Sequence, residues 1–245
     1  MNNKIEGIVL KNVDYRDQDA LLTVLSKENG RIDFVARGLR KITSKNAGSS
    51  QMFQHSYFYY NEKGNRLQSL KTSELIDSFR HLRDQLLTQC ISEVMCEVMS
   101  KIEINDPSTM YDLLYQSFTI LQTSKKPYAI LSVFMAIILR YQGIEPCVDH
   151  CVRCHTQQGI VALSLLDGGF ICGKCINYSD TKMKKEELKK FRILMKASLQ
   201  HIEIVENSCD INYQDFERIV SYFIEYSGIN LSSISFLKRI ESMNS

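Results

Sequence analysis

Four cysteines are spaced as metal ligands. Cys151-Val152-Arg153-Cys154 is answered, after seventeen residues, by Cys172-Gly173-Lys174-Cys175. Each C-x2-C pair makes a tight knuckle that aims two sulfurs the same way, and two knuckles supply the four tetrahedral sulfurs that Zn2+ takes in structural sites. Such a shell leaves no position for water, so one structural Zn2+ that holds the chain together is expected rather than a hydrolytic centre. Disulfides, free core thiols or a redox C-x-x-C are the competing readings of the same residues. Cys147, four residues before Cys151, and His155, directly after Cys154, are expected outside the shell.

A second stretch suits electrostatic recognition rather than bond chemistry. Residues 37–50 carry Arg37, Arg40, Lys41 and Lys45, no acidic residue, and several Gly and Ser. A mobile basic loop of this kind can track a phosphate backbone while neighbouring aromatics stack with bases. The aromatics are at hand in Tyr57, Phe58, Tyr59 and Tyr60, which alternate sides if they lie on a strand. A solvated loop with no specific partner is the plainer reading. Asp14, Asp17 and Asp19 are the nearest approach to a carboxylate cluster, but in a short turn they are expected to cap and hydrogen-bond the loop rather than to assemble a two-metal nuclease.

The elements that must position these residues follow from periodicity. Ile5–Leu10, Ala20–Ser26, Arg31–Ala36, Met52–Tyr60 and Arg66–Thr72 read as five short strands, with Asn29-Gly30 as a type I′ hairpin turn and Glu62-Lys63-Gly64-Asn65 as another turn. Five antiparallel strands in so short a segment suit a small closed barrel, which leaves no open edge. The five-stranded OB type is expected, with an SH3-like barrel as the structural alternative. From Leu82 onward the period becomes helical. Leu82, Leu86, Leu87, Ile91, Val94, Met95 and Val98 form one apolar stripe. Asp106-Pro107 breaks it, Ser108 or Thr109 is placed to cap the next helix, and a third helix runs from near Pro127 to Arg140. These three helices are expected to form a bundle. A short strand, Val161–Leu166, and the Gly168-Gly169 turn lie between the two knuckles, and metal must supply much of that small module's folding energy. Two amphipathic helices, Tyr213–Tyr226 and Leu231–Ser242, complete the chain and are expected to return to the bundle. The fold class is therefore α+β: an OB domain over residues 1–80 and an all-helical domain over 81–245, with an inserted four-cysteine zinc-ribbon-like module at 147–178.

Composition sets outer limits. The 245 residues suffice for two modest domains. Eight cysteines without a signal peptide suit a reducing, cytoplasmic setting, and the longest apolar run, Ala129–Leu139, is too short to span a membrane. Charge is uneven: thirteen Lys and Arg face nine Asp and Glu through Arg80, against seventeen and nineteen afterwards. A nucleic-acid surface is thus expected mainly in the first third. Lys182, Lys184, Lys185, Lys189, Lys190, Arg192 and Lys196 form a second basic segment, with Leu188, Phe191, Leu194, Met195 and Leu199 as its inward side. It is a candidate DNA or acidic-partner surface, and equally a solvated helix face.

Taken in order, these motifs resemble the bacterial RecO family of DNA repair and recombination mediators. The resemblance rests on Gly7-Ile8-Val9-Leu10, Tyr15 and Asp19, Leu25-Ser26-Lys27-Glu28-Asn29-Gly30-Arg31, Ala36-Arg37-Gly38, Arg40-Lys41, Tyr141-Gln142-Gly143, Pro146 and the two cysteine knuckles with Gly168-Gly169 before the second. It implies an N-terminal OB domain, a helical domain and an embedded zinc element. It also implies a non-enzymatic, nucleoid-associated protein that binds single- and double-stranded DNA and anneals complementary strands. The implied partners are RecR, the acidic C-terminal tail of the single-stranded DNA-binding protein SSB and, indirectly, RecA. By this match Arg37, Arg40 and Lys41 inherit DNA contact, with Lys45 in the same loop, and Cys151, Cys154, Cys172 and Cys175 inherit the metal role. Lys184, Lys185, Lys189 and Arg192 are the expected secondary surface. His155 departs from the pattern, since many relatives have Gly after the second cysteine. A protein-interaction scaffold with a structural zinc and no annealing role is the alternative function.

Overall fold

The computed structural model describes residues 2–61 and 67–244. The expected Glu62–Asn65 turn and Arg66 lie outside the described residues. Five strands close a barrel: β1 Asn2–Tyr15, β2 Asp19–Ser26, β3 Gly30–Ala36, β4 His55–Asn61 and β5 Leu67–Asp77. Their order around the barrel is β1-β2-β3-β5-β4, the OB arrangement, with β4 pairing back on β1. All pairings are antiparallel except β3 with β5, where Asp33, Phe34 and Val35 face Leu67, Gln68 and Ser69. Ile5, Val9, Leu22, Val24, Phe34, Phe58 and Leu70 fill the interior, and the Phe34 and Phe58 rings stack at 5.8 Å.

Two local expectations are corrected. Asn29-Gly30 does not form a two-residue I′ turn. Ser26 pairs with Gly30, the turn is Lys27–Asn29, and only Gly30 of the pair has positive φ, at 68°. The Ser26 hydroxyl accepts from the Glu28 and Asn29 amides, which gives the longer turn a side-chain partner. Nor does a strand begin at Met52. Phe53 takes a left-handed φ of 69° and its amide donates to the Val9 carbonyl, so β4 starts only at His55.

Packing groups the chain into two compact units, Met1–Ser124 with Leu231–Ser245, and Lys125–Asn230. The first unit adds to the barrel a 3-10 turn at Arg80–Arg83 and helices α1 Leu86–Lys101, α2 Pro107–Leu121 and, from the end of the chain, α7 Ser233–Asn244. Leu82 thus falls in the 3-10 turn. The cap of α2 is Asp106, which accepts from the Thr109 amide at 3.1 Å with Pro107 at the first helical position, rather than Ser108 or Thr109. A carboxylate before proline can reach back over the first turn, whereas Ser108 and Thr109 are already inside it.

The second unit is built on α3 Pro127–Tyr141, buried along most of its length, with α4 Lys185–Lys196, α5 Ile202–Ser208 and α6 Tyr213–Ser227. A three-stranded sheet of β6 Ile160–Ser164, β7 Gly169–Cys172 and β8 Thr181–Lys182 completes it. The three helices expected as one bundle are therefore shared between units, and only α6 of the last two helices joins α3. The short α5 has no expected counterpart, because seven residues give too few turns for a periodic signal. Among the described residues no helix is long and apolar enough to cross a membrane.

The end of the chain is held by one carboxylate. Glu97 on α1 accepts from the amides of Ser232 and Ser233 at 2.9 and 2.8 Å and from both their hydroxyls, capping α7 from outside that helix. Burial alone would raise the Glu97 carboxyl, but hydrogen bonds from Lys101, Ser233 and Ser232 hold it at about 2. A depressed folded-state value contributes stability above the ordinary glutamate range that is lost as pH falls toward 2. Glu97→Ala is expected to cost about 1–2 kcal/mol near neutrality after allowance for screening. The loss should appear as faster amide exchange along α7, with the gap to wild type closing as pH falls through that window.

Candidate nucleic-acid interface and metal centre

In the first unit the chain from Arg37 to Gln54 must travel from β3 to β4, which are not neighbours in the barrel. This long connection is pinned along its length, contrary to the mobile loop expected. Asp19 Oδ1 accepts from the Gly38 amide at 2.8 Å, Arg40 N donates to the Gln18 carbonyl at 2.9 Å, and Leu39 enters the barrel core. Asn46 bonds the backbone of Lys71 and Ser73, while the hydroxyls of Ser49 and Ser50 reach Ser73 at 2.6 and 3.1 Å. Small polar residues give the loop partners on β5 instead of freedom.

Its cations divide by role. Arg40 is committed within the fold, with Nε 2.6 Å from Asp14 Oδ1 and Nη2 donating to Asn12 Oδ1 at 2.6 Å. Arg37, Lys41 and Lys45 instead line an open cleft of about 710 Å3, and no carboxylate among the described residues pairs with them. Arg16 adds a fourth cation to that lining, which also includes Asp17 and Asp19. Sequence reasoning misses it, since the Tyr15–Asp19 turn stands out for its aspartates. Arg16 has a left-handed φ of 55°, and its guanidinium lies 5.0 Å from the Tyr15 ring centre. Asp14 and Asp19 are both used as loop partners, as the turn suggested.

The aromatic run also divides. Phe58 and Tyr60 point into the core, whereas Tyr57 and Tyr59 face outward on the β4 surface. Lys4 Nζ sits 3.5 Å above the Tyr57 ring, and the Tyr59 hydroxyl donates to Glu74 at 3.0 Å.

In the second unit Cys151, Cys154, Cys172 and Cys175 converge, with all four sulfurs within 4.8 Å of one another. Among the described residues this is the sole group of three or more His, Cys, Asp and Glu ligand atoms gathered so closely. Its geometry could hold a metal ion. Burial would raise the Cys151 thiol, but backbone amides of Cys172, Arg153 and Cys154 hold it near 6. Burial is likewise outweighed at Cys172, which the Lys174 and Cys175 amides lower. Donation of its S–H to Cys154 and Cys172 pushes Cys175 up to about 12. Four thiolates so close cannot share the site without a cation, and a soft, closed sulfur set is the donor chemistry that suits Zn2+. Cys147 stands apart, its sulfur beside the His150 ring at 3.6–3.7 Å. His155 adopts a left-handed φ of 61°, the conformation that glycine takes most cheaply at that knuckle position.

Arg153, between the first two cysteines of the cluster, ties the module together. It donates to the Cys175 carbonyl at 2.6 Å, to the buried Asp180 at 2.6 and 2.9 Å, and to Asp167. Gly169 has no room for a side chain, since a Cβ would lie 2.5 Å from the Cys147 carbonyl oxygen and 2.7 Å from Val152 Cγ1.

Comparison with known proteins covers both units. A family model described as Recombination protein O N terminal matches residues 1–79, and one described as Recombination protein O C terminal matches residues 83–227. The chain belongs to the RecO family. It is 28% identical to the DNA repair protein RecO of Halalkalibacterium halodurans over 99% of this chain and 97% of that protein. The corresponding protein of Bacillus pumilus is 30% identical over 98% of this chain and 95% of its own, and that of Bacillus subtilis 29% over 99% and 96%.

Helix α4 of this RecO family chain carries less free charge than its composition suggests. Arg192 and Lys196 both bond Asp149, at 3.0 and 2.8 Å, and Lys190 reaches Asp215. Lys184, Lys185 and Lys189 remain exposed on the outer face, while Leu188, Phe191, Leu194 and Met195 are buried beneath.

The cysteine geometry generates a paired test. Cys151→Ser is expected to abolish tight metal retention and to loosen residues 151–176, whereas Cys147→Ser retains about one metal per chain, as a single four-sulfur shell requires. Elemental analysis with X-ray absorption checks both, and a shell containing Cys147 sulfur or His155 nitrogen refutes the assignment.

Proposed function

We propose that this protein is a recombination mediator that binds single- and double-stranded DNA and anneals complementary strands without breaking a covalent bond. The observation that carries the reading is the cleft on the barrel, where Arg16, Arg37, Lys41 and Lys45, none of them in an ion pair among the described residues, outnumber Asp17 and Asp19 in the lining. Cations in excess over the carboxylates around them can neutralise phosphates and release counterions, and that term dominates sequence-independent DNA affinity. Annealing needs two strands brought together with their charge screened, and no proton transfer or nucleophile. Membership of a DNA repair and recombination family supports the same reading.

In this proposal residues 1–80 act as the DNA-binding domain and residues 81–245 as the helical domain, with the 147–178 module stabilised by one structural Zn2+ on Cys151, Cys154, Cys172 and Cys175. Bound Zn2+ would neutralise the thiolates and fix the two knuckles. With RecR the protein would help load RecA onto strands coated by SSB, working in the cytoplasm at the nucleoid. The exposed Lys184, Lys185 and Lys189, with Arg192 beside them, offer a surface for the acidic SSB tail or for a second DNA segment.

Charge removal separates the roles of the loop cations. Joint Arg37→Ala, Lys41→Ala and Lys45→Ala substitution is expected to weaken DNA binding by roughly tenfold or more at moderate salt, and to flatten the log-affinity versus log-salt slope by about 0.9 for each duplex phosphate no longer neutralised. Arg40→Ala should chiefly release the loop from Asp14 and Asn12, seen as faster exchange over residues 37–46. Unchanged affinity and slope in the triple variant, with native circular dichroism, would remove DNA binding from this cleft.

A further inference from the structure

Ile42 lies in the basic loop with its entire side chain in solvent, at 105% relative exposure. Single exposed apolar residues are ordinary features of a protein surface. This one differs in setting. Among the exposed large hydrophobic residues of the barrel and its loops, Val13, Leu67, Leu75 and Ile76 retain between 38% and 55% exposure, each covered in part by its neighbours. Ile42 has no such cover, and it follows Arg40 and Lys41 and precedes Lys45 in a stretch without an acid. The tip is also built firmly: Lys41 N donates to the Gly38 carbonyl at 3.1 Å and Ser44 N to the Lys41 carbonyl at 2.9 Å, while Arg40 and Asn46 anchor its two sides to Asp14 and to β5.

We infer that Ile42 is a wedge that enters duplex DNA between adjacent base pairs, with Lys41 and Lys45 engaging the flanking phosphates. The inference rests on the DNA-binding reading of the cleft and names what the loop does to the helix it meets. A branched aliphatic side chain has no partner at a phosphate, but between two bases it buries its surface and unstacks the step, as apolar wedges in duplex-bending proteins do. Unstacking a step is unfavourable, and that penalty is offset only if the wedge arrives already ordered and phosphate contacts hold the duplex against it. Both conditions are present: the tip is pinned by its own turns, and Lys41 and Lys45, neither in an ion pair among the described residues, precede and follow Ile42 in the chain. The expected substrate class is therefore double-stranded DNA, opened locally at one step without sequence preference. For a protein that anneals strands, such a device would let mispaired segments be reopened.

The test uses the full-length protein and a short duplex containing one fluorescent adenine analogue whose emission rises on unstacking. Wild type is expected to raise the emission at saturation, and Ile42→Phe to raise it at least as much. Ile42→Ala and Ile42→Ser should lose most of the rise while binding within about threefold of wild-type affinity and with the same salt slope, since every phosphate-neutralising cation is kept. Emission unchanged by saturating wild type, or a full rise retained by Ile42→Ala, overturns the wedge even though DNA binding stands. Failure of the DNA reading has a different signature, namely salt-independent or undetectable binding by wild type itself, and it would take the wedge with it.

Discussion

Barrel closure through a parallel pair of strands is the constraint on which the first unit depends. Because β3 pairs with β5, and β4 with β1 and β5, the chain leaving Ala36 cannot turn directly into its next strand. It must cross to another part of the barrel, and residues 37–54 are the crossing. A connection of that length exposes many backbone groups, each of which needs a partner. Asp19, Asn46 and the serines at 49, 50 and 73 supply them. The basic loop is thus a consequence of topology, and its rigidity a consequence of hydrogen-bond satisfaction. A surface results whose backbone is already ordered when an anionic partner arrives, which leaves only the cationic side chains to be fixed.

The second unit solves a different problem. Its three-stranded sheet is small, and the apolar cluster around Cys151, Ala162, Ile171 and Cys172 is limited. Two kinds of bond compensate. Arg153 gathers Asp167, Asp180 and the Cys175 carbonyl around one guanidinium, fixing the second knuckle relative to the first. The sulfurs then stand so close that their charges repel unless a cation joins them. Amides aimed at Cys151 and Cys172 favour their thiolates, the charge state that a metal ligand needs.

Electrostatics shows why a census of basic residues is a weak guide to a binding surface. Arg40 and Arg192 belong to the two most basic segments, yet both are engaged by aspartates within the fold. Arg16, in an acidic turn, joins the cleft. A charge acts on a partner only to the extent that its own protein has not already neutralised it.

Much of this was legible in the sequence. The C-x2-C spacing anticipates the four-sulfur cluster because two residues between cysteines leave little choice in where the sulfurs point, and the change from period two to helical period near residue 80 marks where the strands end. Alternation along Tyr57–Tyr60 requires that two rings share each face. Other features needed the tertiary structure. Which aromatic pair lies outside depends on register with β1 and β5, and a shift by one residue would exchange them. The longer turn before Gly30 has the Ser26 hydroxyl as a side-chain partner, a contribution that dipeptide preference does not contain. Sequence order suggested that the first three helices stay together, whereas burial placed α3 at the centre of the second unit and brought α7 back to the first, tied by Glu97 across 135 residues. Local spacing fixes what a short segment can become; which segments meet is decided by burial and by the pairing of distant polar groups, and no local pattern carries that information.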